Sequence, residues 1–460
     1  MEIVLRGYEV NEPTWFYLSF LLIVAIFFRF KRVWSLRNLD LLLLLLISPG
    51  LLLVGHPLTQ SAGYAWLFSC SGLWTLRCLF DGWFDKRPKL EPNLNSQGLL
   101  FLTICAFGFL TIRAMREPPA ETGLAAVREA QVLLQQSDIP EAKETSDDLK
   151  ELLGNTGPTT PLITAPVMST SRSLINAGVI TSRDPLSQFS LVERITVRMV
   201  TILSHVAVLL GLFYIGQRIF SDYLTGLSMA TIYLLLPCTA YSVGEINHVL
   251  PAAFIVWALA FANQARTSGI LLGLACGTML FPVFTLPIWM AYQPRQKLMQ
   301  FTLAFFATCG ILLTSVYLSS TDTLAFTQQT VGSIDLRLLS FDDQTYQDGF
   351  WTQLHPAWRI PVIVSFVVLV IVLTFWPVRK SYEILISHTA AIIVATQFWY
   401  PQQGGIYVLW YLPLILLLVF RPKLMAQAKT AIQGVMLKTN RSSYEPTELS
   451  ATPHLSQRLL

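Results

Sequence analysis

Residues 265–297 read ARTSGILLGLACGTMLFPVFTLPIWMAYQPRQK, and the path of this stretch through a membrane decides the fold. Its apolar run, 268–292, is long enough to cross a hydrocarbon core of ~30 Å. Arg266 precedes the run, and Arg295 and Lys297 follow it. Lys and Arg mark the cytoplasmic side of membrane-protein loops, so both ends ask for the same side. One straight span cannot give that. Gly269, Gly273, Gly277, Pro282 and Pro287 interrupt the run, and a proline removes a backbone donor and breaks a helix. Two readings follow: a broken hairpin that enters and returns to one side, or a single kinked span. Non-helical backbone at that depth needs protein or a water-filled cavity around it.

The rest of the chain supplies the membrane context. Apolar residues make up 53% and charged residues 13%, where soluble domains carry ~25% charged residues. Eleven further apolar stretches read as spans: 13–30, 37–55, 62–80, 97–115, 195–217, 222–241, 248–264, 298–319, 359–377, 382–400 and 404–421. Only helices or closed barrels satisfy the backbone in lipid. The expected fold is therefore all-α: a polytopic transmembrane bundle of about eleven spans plus one hairpin, with a large outer loop carrying short amphipathic helices. The six cysteines (Cys70, Cys78, Cys105, Cys238, Cys276 and Cys309) lie in or beside apolar stretches and form no CxxC pair. They read as reduced apolar side chains.

Charge orients the chain. Arg29, Lys31, Arg32 and Arg37 follow the first span, and Arg77, Lys86, Arg87 and Lys89 follow the third. Both groups read as cytoplasmic, which places the N-terminus outside and, with the hairpin, the C-terminus inside. The polar segment 116–194 then lies outside, where its eleven acids against seven bases fit. The loop 320–358 falls on the same side. Three parts emerge: an N-terminal extension of three spans (1–96), a core (97–421) and a cytoplasmic tail (422–460). Within the outer segment, 121–136 and 141–153 read as amphipathic helices, with Leu124, Val127 and Leu134 on one face. Thr156–Ser190, rich in Pro, Thr and Ser, reads as loop. The tail carries an apolar stripe (Leu424, Met425, Ala428, Ile432, Val435, Met436) that suits an interfacial helix, followed by about twenty residues of disordered composition.

No HExxH, GxxxxGK[ST] or GxSxG motif is present, so candidates come from polar groups at span ends. Ionisable groups are costly in lipid and usually face a cavity or a partner. In SVGEINHVLP (242–251), Glu245 and His248 are spaced to meet as an acid/base pair; the alternative is a solvated turn with a helix cap. In the loop 320–358, Asp322, Asp335, Asp342, Asp343, Asp348 and His355 are interleaved with Phe350, Trp351 and Trp358. Acids with aromatics suit sugar binding, and equally an interfacial aromatic belt. Gln402 and Gln403 sit at a mouth rimmed by Trp399, Tyr400 and Tyr407; interfacial anchoring is the alternative. Arg194, Arg198 and Arg359, with Arg172 and Arg183, would suit a lipid phosphate, since a guanidinium fork matches phosphate oxygens; each alone also serves as a headgroup anchor. His205 and His388 lie inside spans and read as hydrogen-bonded packing residues.

From about Val197 to Tyr292 the chain resembles the glycosyltransferase C superfamily, most closely the bacterial polyprenyl-phosphate-mannose-dependent branch. LLGLFYIGQRIFSDYLTGLSMATIYLLLP (209–237) and ANQARTSGILLGLACGTMLFPVFTLPIW (262–289) carry the resemblance, and YPQQGGIYVLWYLPLILLLVFRP (400–422) is similar to the family's last span. The resemblance implies an enzyme of the bacterial cytoplasmic membrane that takes a hexose from a polyprenyl-phosphate donor. It also implies an acid just after the span that opens the first large outer loop. That place reads RAMREPPAETG (113–123), without the usual Asp, and offers Glu117 and Glu121. The family's frequent Lys in the broken segment is absent, with GTMLFP (277–282) in its place. A divergent transferase and a relative without catalysis both fit these departures.

For an active enzyme the resemblance implies inverting transfer. Glu117 or Glu121 would be the base by position, with Glu245 or a 322–348 acid as alternatives, and a cation or arginine would steady the leaving phosphate. A divalent metal therefore stays open as cofactor, with no metal ligands assigned. Expected partners are membrane lipid and the polyprenyl-phosphate sugar, not nucleic acid. A transporter would need polar groups near interrupted helices at mid-membrane, and the interrupted segment here is apolar. A scaffold that binds a partner through 116–194 is the other class.

Overall fold

The computed structural model describes residues 12–84, 91–116, 119, 121–135, 157–178, 188–319, 349–400 and 403–422. Every contact below lies within Met1–Arg421, which forms one compact unit. Among the described residues the regular structure is helical, with no strand. The α-helices are α1 (Glu12–Phe27), α2 (Leu36–Val54), α3 (Gln60–Leu79), α4 (Ser96–Arg116), α5 (Glu121–Gln135), α6 (Thr159–Asn176), α7 (Gln188–Tyr214), α8 (Tyr223–Leu235), α9 (Pro237–Tyr241), α10 (Ile246–Ala260), α11 (Ala265–Thr278), α12 (Leu286–Tyr292), α13 (Arg295–Ser319), α14 (Arg359–Phe375), α15 (Tyr382–Trp399) and α16 (Val408–Phe420). Each of the eleven apolar stretches holds a helix. Four segments, Leu36–Val54, Ser96–Arg116, Leu191–Ile219 and Arg295–Leu318, are long and apolar enough to cross a membrane by length and composition; six more are apolar but shorter. The chain is thus an all-α, multi-pass membrane protein.

The stretch 265–297 folds as a hairpin. α11 ends at Thr278, a 3₁₀ turn runs over Phe281–Thr285, and α12 follows. Glycine contacts fix the direction. A Cβ on Gly269 would strike the Phe301 carbonyl, one on Gly273 would press on Thr308, and one on Gly277 would meet Leu312. The contacts advance together along both helices, so α11 and α13 run parallel. Successive helices can be parallel only if the chain between them turns back. The two feet confirm the return: Tyr292 Oη donates to Asn263 Oδ1 at 3.1 Å, and Lys297 Nζ donates to the Asn263 carbonyl at 3.2 Å. The apex is covered by protein. Gly157 N–H donates to the Thr278 carbonyl at 3.1 Å, and a Cβ on Gly157 would lie 2.3 Å from the Gly277 carbonyl.

Two sequence readings need correction. The run 222–241 is not one continuous helix. Leu236 is extended (φ −61°, ψ 130°) and Pro237 starts α9, because the residue before a proline is driven out of the helical region. Within Thr156–Ser190, residues 159–176 are helix rather than loop. Pro161 falls in the first turn, where its missing N–H is no loss. Thr164 and Ser171 return their hydroxyls to the carbonyls of Thr160 (2.6 Å) and Val167 (2.9 Å). Burial of Thr159, Thr160, Thr164 and Met168 then overrides a loop-like composition. The helix expected at 121–136 is present as α5, and its Val127 packs with Met168, Val192 and Val197, flanked by Leu124. The expected helices at 141–153 and in the tail lie outside the described residues.

Connections sort to two ends of the bundle. At one end, Arg77 bridges two acids: its Nε and Nη2 reach Asp40 at 2.6 and 2.9 Å, and its Nη1 reaches Asp81 at 2.8 Å. Arg421 pairs with Asp81 and, at 2.9 Å, with Glu383. Asp40, Arg77, Asp81 and Arg421 are all buried. The cluster ties α2, α3, α15 and the end of α16 together. Tyr382 Oη donates to the Leu259 carbonyl at 3.1 Å, and Arg37 Nη2 donates to the Phe27 carbonyl at 2.9 Å. Arg37 and Arg77, read from sequence as loop charges, are therefore buried helix-end ligands. The loops expected on the cytoplasmic side share this charged end. The described residues of the segments expected outside, such as Gly157, the 242–245 turn, Phe350 and Trp351, lie at the opposite, aromatic end.

Two outcomes test this architecture. Gln264→Cys and Gln296→Cys, both at exposed positions, should react with an impermeant thiol reagent from the same side of the membrane. Labelling from opposite sides would eliminate the hairpin. Arg77→Met leaves the Asp40 carboxylate buried without its guanidinium, which typically costs ~3–5 kcal/mol. Unfolding in mixed micelles should show that loss, with part of it recovered in Asp40→Asn/Arg77→Met. A change under ~1 kcal/mol would show that the cluster does not hold the helices.

Candidate functional site

The aromatic end is built around the break between α8 and α10. Pro237 turns the chain, α9 makes little more than one turn, and residues 242–245 close back on themselves through Glu245 N–H to the Ser242 carbonyl at 3.2 Å. Glu245 sits at the N-cap position of α10 in extended conformation, without a side-chain cap bond. The residue is half-buried, and its carboxylate is within electrostatic reach of the Tyr407 hydroxyl. His248, one turn into α10, is 9% exposed.

His248 N–H donates to the Glu245 carbonyl at 3.1 Å. The imidazole packs edge-on to Tyr407, with ring centroids 4.9 Å apart, and to Trp410 at 6.4 Å. Its Nδ1 has no hydrogen-bond partner among the described residues. The turn is lined by buried Ser242, Val243 and Ile246, so it is part of the packed bundle rather than a solvated cap.

Two segments distant in sequence, at 281 and 400–410, form an aromatic wall beside this turn. Trp410 stacks on Tyr407 at 4.2 Å and on Phe281 at 4.1 Å. Tyr400 meets both Tyr407 (5.1 Å) and Trp410 (5.6 Å) edge-on. Trp410 Nε1 donates to the Asn247 carbonyl at 3.0 Å and so pins α16 to α10. Phe281 comes from the hairpin break, which explains what the interruption achieves: it carries a ring from the broken segment to the wall. Gly405 lets the loop before α16 approach. Its φ is +99°, and its N–H donates to Gln397 Oε1 at 3.0 Å.

The other candidates are distributed as follows. Arg359 is 2% exposed, and its Nη2 donates to the Trp399 carbonyl at 3.1 Å. It is therefore set into the protein at the end of α15, not out among headgroups. Trp351 is also tucked in, its Nε1 donating to the Phe398 carbonyl at 2.9 Å while Phe350 stacks on Phe68 at 4.1 Å. Trp358, 65% exposed, has the placement of a belt residue. His355 is exposed and accepts from Ala357 N–H at 3.2 Å. On α7, Arg194 is exposed and Arg198 half-buried. Glu121 begins α5, although its side chain lies outside the described residues. So do Glu117, Asp322, Asp335, Asp342, Asp343, Asp348 and Gln402. Among the described residues no three His, Cys, Asp or Glu side chains converge on a metal position. His205 bonds Tyr233 Oη at 3.0 Å and the Val243 carbonyl at 3.2 Å, and His388 bonds the Leu373 carbonyl at 3.2 Å. Both act as packing residues.

A carboxylate at the foot of a ring wall offers what a sugar needs: an acceptor for hydroxyl protons and flat apolar faces. Replacing Trp410 by Ala removes two stacks and the bond to Asn247. Large-to-small changes of this kind cost ~3–5 kcal/mol, and unfolding in detergent should show it. Stability unchanged in Trp410→Ala would mean that the wall is not an organised unit.

The family model for glycosyltransferase family 87 matches residues 185–400. The matched stretch runs from the start of α7 to the end of α15 and contains the hairpin, Glu245, His248, Arg194, Arg198 and Arg359. No curated protein matches the chain. The family match suggests a membrane glycosyltransferase. It does not distinguish the polyprenyl-phosphate-mannose branch.

Proposed function

We propose that this chain transfers a hexose from a polyprenyl-phosphate sugar to an acceptor hydroxyl at the aromatic end of the bundle. The observation that carries the reading is the overlap of the family 87 match with the stretch that builds the hairpin and the Glu245 turn. The Lys/Arg bias of the loops supports placing that end outside, with the N-terminus outside, the C-terminus inside and the chain in a bacterial cytoplasmic membrane.

In this reading the acceptor oxygen attacks the anomeric carbon as a carboxylate takes its proton. The bond from that carbon to the phosphate oxygen breaks, and the lipid phosphate departs with the electron pair. We assign the base to Glu245, which is half-buried and lies beside rings that suit a sugar face. Glu117 is the alternative by its place after α4, with Glu121 next to it. Arg194 and Arg198 are spaced one turn apart on α7 and suit the leaving phosphate. Arg359 holds the end of α15 through Trp399. Trp351, His355, Gln402 and the acids Asp322, Asp342 and Asp343 are the remaining sugar-binding candidates. A scaffold role has no specific observation in its favour.

Removal of a general base typically costs ~10²–10⁴-fold in rate. Glu245→Gln keeps size and hydrogen bonding but cannot take a proton. Donor turnover by the purified protein in lipid should fall by that factor in Glu245→Gln. A fall confined to Glu117→Gln or Glu121→Gln would move the base there. No turnover by the wild type with any polyprenyl-phosphate hexose would overturn the enzymatic reading.

A further inference from the structure

A half-open notch lies between α1, α2, α4 and α9, and neither Glu245 nor a ring of the aromatic wall lines it. Its lining includes Trp15, Phe16, Ser48, Leu52, Arg113 and Tyr241. Two of these are buried donors without a partner among the described residues: Ser48 Oγ, in a residue 1% exposed, and Trp15 Nε1, in a residue 6% exposed. Hydroxyls and indoles in this bundle divide between bonded groups and groups without a partner among the described residues. Helical Thr103, Thr196, Thr201, Ser204 and Ser228 all return their hydroxyls to the carbonyl four residues back. The indoles of Trp66, Trp257, Trp351 and Trp410 all donate to a carbonyl. Other donors in the bundle also lack partners, but Ser48 and Trp15 line the same opening. The Trp15 ring is fixed there by a stack on Phe109 at 4.1 Å.

The donor set specifies the ligand's charge. Indole N–H and guanidinium can only donate, and the Ser48 and Tyr241 hydroxyls can donate as well. Among the described residues no carboxylate lines the notch. The complement is an acceptor-rich anion. The surroundings specify the carrier. Tyr17 and Leu21 of α1 and Ile112 and Met115 of α4 are roughly half to two-thirds exposed, so apolar side chains flank the opening on the outside of the bundle. Trp15 lies in the first turn of its helix and Arg113 in the last turn of its own, which is the depth of headgroups, while Ser48 lies nearly two turns inside the end of α2. An anion that arrives across an apolar surface at that depth is carried by a lipid.

We infer that this notch binds the phosphate headgroup of an anionic bilayer phospholipid and so anchors the N-terminal helices to the membrane. The inference does not depend on the transferase reading, and its test needs no turnover. The probes are short-chain phosphatidylglycerol, phosphatidylcholine of the same chain length, and inorganic phosphate, each added to the full chain in detergent. Phosphatidylglycerol should raise the thermal unfolding midpoint of the wild type well above the other two. Hydrogen bonds to a charged group are strong enough that losing two should weaken binding by at least about tenfold. Trp15→Phe/Ser48→Ala should show that loss, as should Ser48→Ala alone to a lesser degree. Quenching of Trp15 by brominated phosphatidylglycerol, relative to Trp15→Phe, gives a second readout that does not rely on melting. An equal response to inorganic phosphate or phosphatidylcholine would overturn the inference. So would unaltered binding by both variants, or displacement of phosphatidylglycerol by a lower concentration of polyprenyl phosphate.

Discussion

Arg77 is held between Asp40 and Asp81, and Arg421 between Asp81 and Glu383. The remaining architecture leans on this buried chain of charges. An ionisable group at membrane depth costs ~2.5–3.5 kcal/mol on insertion scales, so such a group persists only when it is paired. Fork-to-carboxylate contacts make the pairing directional as well as strong. Here they join the second and third helices to the fifteenth and sixteenth, the first part of the chain to its last spanning segment. The three N-terminal spans are thereby fastened into the same compact unit as the stretch that matches a glycosyltransferase family. With one end closed by charge, the open chemistry gathers at the other.

The hairpin is the second constraint. Its feet are bonded to each other through Asn263, and its apex is capped by Gly157 and Thr159. Unpaired backbone at the turn is thus enclosed by protein, as membrane burial demands. The cost of breaking a helix is offset by position: the break brings Phe281 onto Trp410, and Trp410 ties α16 to α10 beside His248. Broken segment, aromatic wall and half-buried Glu245 are parts of one structural unit, although they come from three distant stretches of sequence.

Much of this was legible from residue order. Span positions followed from apolar length. Arg266, Arg295 and Lys297 flanking glycines and prolines favoured a return of 265–297 over a single kinked span, because positive charge is biased to one side of a membrane, and the fold decided between the two. The partners of charge were not legible. Nothing in the sequence named Arg77 as the partner of Asp40, 37 residues away, or Arg421 as the partner of Asp81, 340 residues away. The helix at 159–176 was hidden because Ser, Thr and Pro read as loop until tertiary burial supplies the difference. At the site, Glu245 and His248 were visible as a pair by spacing. The ring contacts of His248 with Tyr407 and Trp410 were not visible, because those residues lie about 160 positions away. The ring contact from Phe281 required the fold itself.

The most direct measurement is an electron cryomicroscopy map of the full chain in nanodiscs with a non-transferable phosphonate analogue of a polyprenyl-phosphate hexose. Sugar density at the aromatic end, within hydrogen-bond distance of Glu245 and against Tyr400 or Tyr407, is the expected result. Sugar density at the charged end, beside Asp40, Arg77 and Glu383, would contradict it.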